Sequence, residues 1–463
     1  MSVRARLWLA ELALVILLLG LTPYPRPFAE AMLRAEAHRA AREYGAALAA
    51  YQEAAFLNMD APQPWLRMGE VFLAQHRFTK AAIAFREAER LGDHGAALLG
   101  LGESYAGRGD WAAAMGIWLR GLEFAPDQAS LLLALGRGSI AQGSWEQAAS
   151  YLTRALAQHP TRQEAAAIHS LLGRLLIADD PVQAAGHLRA AGDSDLLAVL
   201  DAAQAEPDPS RRALLLGIAF LQRNELPLAR YHLERAVQLD PTHAEARAYL
   251  AHTLDRMGHT GTAGPLLQSA LQIDPGSVLV HYFLGVHYRR VGNLAAAQAA
   301  LWEALQRDPE NAALCIEMGE TFVQQGDYIR AEEWYQAAVE VAPQEIEFRL
   351  LLAHFYLDHL YRVEAGGLPA AQEAVALALE DARAHDLLGW AYHLTGQYGN
   401  AVASLSRALE LDPDLVSAHY HLGSLYASTG QRELARRYLQ RASDLDTTGY
   451  YRQRAELLVR TLR

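Results

Sequence analysis

The sequence predicts an all-α protein: a solenoid of about twelve antiparallel helix pairs that ends in a capping helix. Three observations predict this class. Ala, Leu, Arg, Glu and Gln, which favour helices, dominate the 463 residues, whereas β-branched residues are scarce. A pattern of small residues recurs every 34 residues. Gly or Asn, and then Pro, follow at fixed places in each period.

Small residues mark the places where two paired helices must cross closely, since only Gly or Ala lets the backbones approach. The second of these positions, twelve residues after the first, is always alanine, from Ala229 to Ala435. Large apolar residues fill the remaining positions and predict the core. The first small position is occupied by Gly217, Ala251, Gly285, Gly319, Gly389 and Gly423.

Turn residues separate the two helices of each period. Gly and Asn tolerate the left-handed backbone conformation that closes a helix. A proline such as Pro275 then ends the second helix and directs the chain into the next period. The predicted turn positions are Gly109, Gly143, Gly258, Gly292, Gly326, Gly396 and Gly430, with Asn224 in one period.

This spacing of small residues, turn glycines and terminal prolines resembles the tetratricopeptide repeat family, which implies a right-handed superhelical solenoid. The resemblance covers almost the whole chain after the N-terminal run. The predicted repeats begin near Phe28, Pro62, Gly95, Ala129, Gln163, Ser210, Ala244, Val278, Ala312, Ile346, Ala382 and Val416.

Breaks in the period predict the domain organisation. Residues 1–27 form an N-terminal segment, 28–194 a first repeat array, 195–209 an extra helix and joint, 210–449 a second array, and 450–463 the capping helix. The joint is predicted because 47 residues separate Gln163 from the end of Pro209, where 34 would suffice. Two further residues around Val363–Ala370 predict a longer loop between helices.

The N-terminal segment carries an apolar run, Leu7–Leu21, that would span roughly 22 Å as a helix, and somewhat more when extended to Tyr24. This approaches the roughly 30 Å of a bilayer's hydrocarbon core, so the run predicts a single-pass transmembrane anchor with the repeats on the extracytoplasmic side. The alternatives are a secretory signal that is removed and a hydrophobic cap on a soluble array. The anchor residues would include Trp8, Leu14, Ile16, Leu18 and Tyr24.

Charge and motifs exclude several classes of function. The net charge of −12 argues against nucleic acid as a partner, because binding phosphates needs an excess of cations. The motifs of catalytic and cofactor sites are missing, which predicts no enzymatic activity, no cofactor and no small-molecule substrate.

Metal binding is also not expected. Its best candidates are the strings HFYLDHL, with His354, Asp358 and His359, and AHYHLG, with His419 and His421. Each lacks the ligand spacing of a known metal site, so we interpret them as polar or half-buried helix positions. The single cysteine, Cys315, occupies an interface position and is predicted to be buried.

The resemblance implies that the first helix of each repeat lines a concave groove where partner proteins or peptides bind. A chaperone-binding subfamily uses Lys and Asn in this groove; here Lys80 is the only lysine and no Asn occupies a lining position. Arg and aromatic residues are typical interface anchors. The predicted partner-binding residues are His252, Asp255, Arg256, Tyr282, Arg289, Arg290, Glu320, His354, Trp390 and Tyr420, and further lining positions are Glu70, Glu103, Arg137, Asp358, Asp386 and His393.

The predicted function is therefore a non-catalytic, membrane-tethered scaffold that gathers partner proteins in its groove. Such a chain is similar to bacterial membrane-anchored repeat proteins of envelope-associated assembly. The alternative is an accessory or regulatory subunit of a separately encoded enzyme, such as a glycosyltransferase or a protease.

Overall fold

The computed structural model describes residues 26–126, 128–177, 180–446 and 448–462. These residues form 26 α-helices and one short π-helix, and they contain no β-strand. The first thirteen helices are α1 (Arg26–Ala40), α2 (Tyr44–Leu57), α3 (Gln63–Ala74), α4 (Phe78–Arg90), α5 (Gly95–Ala106), α6 (Trp111–Phe124), α7 (Ala129–Ala141), α8 (Trp145–Ala157), α9 (Arg162–Leu176), α10 (Pro181–Ala191), α11 (Ser194–Ala205), α12 (Pro209–Gln222) and α13 (Leu226–Leu239). The others are α14 (Ala244–Arg256), α15 (Thr260–Ile273), α16 (Val278–Arg290), α17 (Leu294–Arg307), α18 (Ala312–Gln325), α19 (Tyr328–Val341), α20 (Ile346–Asp358), α21 (Leu368–Leu377), α22 (Ala382–Leu394), α23 (Tyr398–Leu411), α24 (Val416–Ser428), α25 (Arg432–Leu445) and α26 (Tyr450–Thr461).

The helices follow one another as pairs, as the period predicts. Each of the twelve predicted repeat starts lies within two residues of the first residue of a helix. The helix α11 stands between the fifth and sixth pairs, at the predicted joint, and α26 follows the last pair. An all-helical repeat solenoid is therefore confirmed.

The turns between paired helices have the predicted backbone conformation. Asn224 has a φ of 60°, and the predicted turn glycines have φ values from 75° to 86°. Residues with a side chain rarely adopt this left-handed conformation, which explains why Gly recurs there. These turns close the first helix of each pair and reverse the chain for the second.

The predicted close crossings are present. A Cβ atom added at Gly285 would lie 2.5 Å from Leu301 Cγ, and one at Gly389 would lie 2.5 Å from Leu405 Cγ. The alanines at the second small position, such as Ala297 and its counterparts, have no exposed surface. The paired helices thus pack backbone against side chain at these points, with no room for a larger residue.

The two extra residues near position 365 do not lengthen a loop. They form a π-helix, Val363–Gly367, that runs directly into α21. Arg362, which precedes it, has a φ of 46° and pairs with Glu332 at 2.8 Å. A Cβ atom at Gly366 would lie 2.5 Å from the ring of Tyr356. Winding extra residues into a π-turn keeps the backbone hydrogen-bonded, which an open loop packed against a ring would not do.

The chain divides into two compact units. Unit 1 contains the described residues up to Pro126 together with Leu439–Thr461, and unit 2 contains the described residues from 128 to Tyr438. Unit 1 therefore joins α1–α6 to the last turns of α25 and to α26. The predicted segment boundaries follow breaks in the repeat, which is a different criterion, and they stay predictions.

A buried carboxylate joins the two ends of the chain within unit 1. Asp444 has only 6% of its surface exposed, and its Oδ1 accepts hydrogen bonds from Gln75 Nε2 at 3.2 Å and Gln440 Nε2 at 2.9 Å. Arg77 also pairs with Glu456 at 3.5 Å. Burial raises the pKa of Asp444 to about 6, against the opposing effect of its hydrogen bonds.

The predicted membrane localisation is corrected by the structure. Among the described residues, no helix is long and apolar enough to cross a bilayer. Each helix of the described ranges has at most 15 residues, whereas a span needs about 20 mostly apolar ones. This finding contradicts a single-pass membrane protein with extracytoplasmic repeats. The five predicted anchor residues, Trp8, Leu14, Ile16, Leu18 and Tyr24, lie outside the described residues.

Replacing Gly389 by Ala tests the close crossing. We expect the free energy of unfolding to fall by about 1–3 kcal/mol, because the new methyl group overlaps Leu405. The measurement is urea unfolding followed by circular dichroism. Gly399→Ala is the matched control. Gly399 lies on the paired helix α23, and a Cβ atom added there would meet nothing within 4 Å. Equal midpoints for the two variants would contradict the packing described here.

Asp444 predicts a pH dependence of stability. Its pKa is about 6 in the fold, above the ordinary 3.8 of an aspartate, so the fold binds a proton more tightly than the unfolded chain. Its contribution to stability is therefore complete below about pH 4 and is lost as pH rises through 6. We expect wild type to gain up to about 2 kcal/mol relative to Asp444→Asn between pH 7 and pH 4, in urea unfolding. Parallel pH profiles would contradict this.

Candidate functional site

Six first helices of the repeats in unit 2 carry polar and aromatic side chains in corresponding positions. We call the surface formed by α14, α16, α18, α20, α22 and α24 the first-helix face. Direct contacts join α14 to α16, α16 to α18, α20 to α22 and α22 to α24. All ten predicted partner-binding residues belong to these helices.

Two arginines act on a half-buried imidazole on helices α14 and α16 of this face. The ring of His252 stacks on Phe283 with a centroid distance of 4.6 Å. Burial, and then the charges of Arg256 and Arg290, lower the pKa of His252 to about 4, so the ring is neutral at pH 7. The side chains of Arg256 and Arg290 are exposed. We call Arg256, Arg290 and His252 the cationic subsite.

Arg256 is held in place by the preceding repeat. Its Nη2 donates to Asn224 Oδ1 at 2.7 Å, and its Nη1 lies 3.5 Å from the carbonyl oxygen of Leu221. Neither partner carries a negative charge. The guanidinium is therefore oriented without being neutralised.

The middle of the face is occupied by side chains that pair with one another. Arg289 donates to Glu317 Oε2 at 2.7 Å, and Tyr335 donates to Glu320 Oε1 at 2.5 Å. Burial, followed by the charge of Glu317, raises the pKa of Tyr282 to about 12. Arg289 is therefore neutralised, whereas the neutral hydroxyl of Tyr335 orients Glu320 and leaves its charge uncancelled.

Asp255 is placed differently from its neighbours. Only 2% of it is exposed, and its Oδ2 lies 2.8 Å from Nδ1 of His287 on the next first helix. Its Oδ1 has no hydrogen-bond partner in the part of the chain that the structure describes. Asp255 therefore holds α14 to α16 and offers no open surface to a partner.

An aromatic group lies on helices α20, α22 and α24 of the first-helix face. The ring of Trp390 stacks on His421 with a centroid distance of 4.4 Å, and His421 Nδ1 lies 2.7 Å from Asp386 Oδ1. Asp358 has 56% of its side chain exposed and lies 3.5 Å from His354. We call Asp358, Trp390 and His421 the aromatic subsite.

The charge on Asp358 is maintained by the histidines around it. Burial alone would raise its pKa, but the hydrogen bond from His354 and the charges of His421 and His359 outweigh that effect and lower it. His393 lies beside Trp390, with a centroid distance of 5.0 Å. The rings of Tyr420 and His421 form a T-shaped contact with a centroid distance of 5.8 Å. Trp390 and Asp358 thus belong to one group with His354, His393 and His421.

The remaining candidates lie apart from these subsites or have structural contacts. Glu70, in unit 1, pairs with Arg67 on its own helix at 2.8 Å. Arg137 is exposed on α7, and Glu103 is half-buried on α5. Cys315 is buried, as predicted, and burial raises the pKa of its thiol.

The histidine strings do not assemble a metal site. His419 contacts the carbonyl oxygen of Pro413 at 2.9 Å, whereas His421 contacts Asp386. Among the described residues, no group of three or more His, Cys, Asp or Glu side chains could hold a metal ion.

Sequence reasoning missed the partners of the buried carboxylates. His287 follows Asp255 by 32 residues, and His421 follows Asp386 by 35. Both spacings are close to one period, so an acid on one first helix followed by a histidine on the next is a signal that could have found them. Sequence reasoning also missed Glu317, which neutralises Arg289, and Tyr335, which donates a hydrogen bond to Glu320.

Comparisons with known proteins agree with the repeat. Profiles described as tetratricopeptide repeat match residues 32–96, 66–129, 131–166, 214–278, 288–355, 389–430 and 416–448, and together cover well over half of the chain. No curated protein matches the chain at a significant level.

The chain is similar to three solved structures. Yeast Tom70 is 16% identical, with 94% of this chain and 95% of that chain covered and a TM-score of 0.45. The APC/C hetero-tetramer Cut9-Hcn1 is 15% identical, with 89% and 96% covered and a TM-score of 0.40. YrrB, a TPR protein with an unusual peptide-binding site, is 22% identical, with 41% and 97% covered and a TM-score of 0.31.

Loss of His287 should reveal the role of the buried pair. Replacing it with Ala leaves Asp255 buried with neither oxygen partnered, which costs about 3–5 kcal/mol of unfolding free energy. His281→Ala on the same helix is the control. That side chain is also buried, but among the described residues it has no acidic partner in a salt bridge and forms its hydrogen bond with the carbonyl oxygen of Pro275, at 3.0 Å, so its loss costs about 1–2 kcal/mol. The comparison uses urea midpoints. Equal losses of unfolding free energy in the two variants would show that the Asp255–His287 pair stabilises the fold no more than a single buried hydrogen bond.

Proposed function

Because the chain belongs to the tetratricopeptide repeat family, we propose that it is a non-catalytic scaffold whose first-helix face in unit 2 binds protein or peptide partners. The observation that carries this proposal is the cationic subsite. Two exposed guanidiniums stand beside a neutral, half-buried imidazole, with aromatic rings underneath. Arg and aromatic side chains of this kind anchor protein interfaces.

The energetics of the subsite favour binding. Arg256 is already oriented by Asn224 and Leu221, so a partner group does not have to immobilise a free side chain. A carboxylate brought to Arg256 and Arg290 would gain charge-assisted hydrogen bonds. His252 adds no competing charge, since it stays neutral at pH 7.

The predicted contact residues divide according to their surroundings. Asp255 is left out of the proposed contact surface because it is buried against His287. Arg289 belongs to the floor of the groove, where Glu317 neutralises it. The residues that remain as proposed contacts are His252, Arg256, Tyr282, Arg290, Glu320, His354, Trp390 and Tyr420.

A peptide-display selection tests the proposal. Random peptides of about twelve residues are selected on the full chain, and their affinities are measured by fluorescence anisotropy. Because loss of an interface anchor costs more than about 1 kcal/mol of binding free energy, we expect Arg256→Ala/Arg290→Ala to lower the affinity for the selected peptides about tenfold or more. This variant spares Arg289, whose loss would leave Glu317 half-buried and unpaired.

The matched control for that experiment is Arg307→Ala/Arg407→Ala. These arginines lie on the second helices α17 and α23, where they pair with Glu303 and Glu410 of their own helices at 2.7 and 3.0 Å. The control should bind the selected peptides like wild type. Unchanged affinity in the first variant, or equal loss in both, would show that the first-helix face is not the binding surface.

A further inference from the structure

We propose that the first-helix face binds an extended segment of mixed charge, with an acidic group at the cationic subsite and a Lys or Arg at the aromatic subsite. This inference rests on the proposed function and deepens it. It names the chemistry of the partner: an acidic and a basic side chain held a fixed distance apart on one extended peptide.

The cationic subsite has a net positive charge, since no carboxylate pairs with Arg256 or Arg290 in the part of the chain that the structure describes. Of the three arginines of α14 and α16 on this face, Arg289 is neutralised by Glu317. Arg256 is bound by an amide and a backbone carbonyl, which leave its charge intact. Arg290 is exposed. Its charge helps to lower the pKa of His252, although burial and the charge of Arg256 have larger effects on that pKa. A carboxylate is the group that this pair of guanidiniums matches.

The aromatic subsite has the opposite preference. Asp358 is ionised at pH 7, because its pKa lies below its ordinary value, and more than half of its side chain is exposed. Trp390 is linked to it through His421, whose charge acts on Asp358 and whose ring covers one face of the indole, and part of Trp390 is still exposed. A Lys or Arg brought here would pair with the carboxylate and lie against an indole, the ring that binds cations best.

The surface between the two subsites holds its polar groups in pairs. Glu317 neutralises Arg289, and Glu320 accepts a hydrogen bond from the Tyr335 hydroxyl, which orients the carboxylate without cancelling its charge. A neutral segment can cross this part of the face, because these groups already have hydrogen-bond partners within the protein. The charged groups at the two ends therefore decide which segment binds.

The spacing of the two charges follows from the repeat. Neighbouring first helices lie roughly 10 Å apart, and two to three repeats separate α16 from α20 and α22. The subsites are then roughly 20–30 Å apart, which an extended chain spans with about six to nine residues. A shorter peptide reaches one subsite only.

Synthetic peptides test the proposal directly. Three peptides share a neutral spacer of about seven residues and differ only at their ends: Asp and Lys, Asp and Asp, or Lys and Lys. Each has acetylated and amidated termini, so that only the side chains carry charge. Binding to the full chain is measured by fluorescence anisotropy at low salt. We expect the mixed peptide to bind at least tenfold more tightly than either like-charged peptide, and to lose this advantage when the spacer is reduced to two residues.

Charge reversal of one subsite at a time provides the decisive control. Asp358→Arg should transfer the preference to the peptide with two Asp ends, and Arg256→Glu/Arg290→Glu should transfer it to the peptide with two Lys ends. All three positions are exposed, and circular dichroism verifies that the variants fold. Arg307→Glu, on the second helix α17, should leave the preference for the mixed peptide unchanged.

The outcomes separate this inference from the proposed function. Equal affinities for the three peptides, no binding of the mixed peptide at millimolar concentration, or an unchanged preference after Asp358→Arg overturns the mixed-charge inference. The proposed function still stands if display-selected peptides depend on Arg256 and Arg290. If the selected peptides are indifferent to those arginines, the proposed function fails, and the inference fails with it.

Discussion

The close crossing of paired helices is the constraint on which the rest of the structure depends. At Gly285 the absent side chain lets Leu301 of the partner helix approach the backbone, and at Gly319 the same gap receives Tyr335. Because close-packed interiors leave no alternative fit, this contact sets the rotation of the first helix about its own axis. That rotation decides which side chains reach the first-helix face. One small residue per repeat therefore determines where Arg256, Arg290 and Trp390 are displayed.

With the rotation fixed, polar residues of the first helices serve two purposes. Some are buried between neighbouring first helices, as in the pairs Asp255–His287 and Asp386–His421, and these hold one repeat to the next. Others remain exposed and are available to a partner. The aromatic subsite shows both purposes together, because His421 anchors Asp386 on one side and supports Trp390 on the other. Stability of the array and shape of the binding surface are thus coupled through the same side chains.

Local features of this fold could be predicted from sequence because they depend on contacts within one period. The repeat starts and the turn glycines were confirmed for that reason, since a left-handed turn or a close crossing selects Gly directly. Features that depend on distant contacts could not be predicted. Gln75 and Asp444 are 369 residues apart, and no periodicity links them. The π-helix at Val363–Gly367 was expected to be a loop, because two extra residues do not reveal that the neighbouring ring of Tyr356 favours a wound backbone.

The candidate site shows the same limit at the level of single residues. Asp255 and Asp358 are both acids in the last turn of a first helix, at adjacent positions of the repeat, and their sequence neighbourhoods gave no reason to separate them. A shift of one position turns the side chain by about 100° around the helix, which is enough to move it from the interface with the next helix to the open face. Asp255 is buried against His287, whereas Asp358 is exposed beside His354. A lining position therefore predicts where a side chain lies along the groove, but its partner on the next helix decides whether its charge is used inside the protein or offered to another molecule.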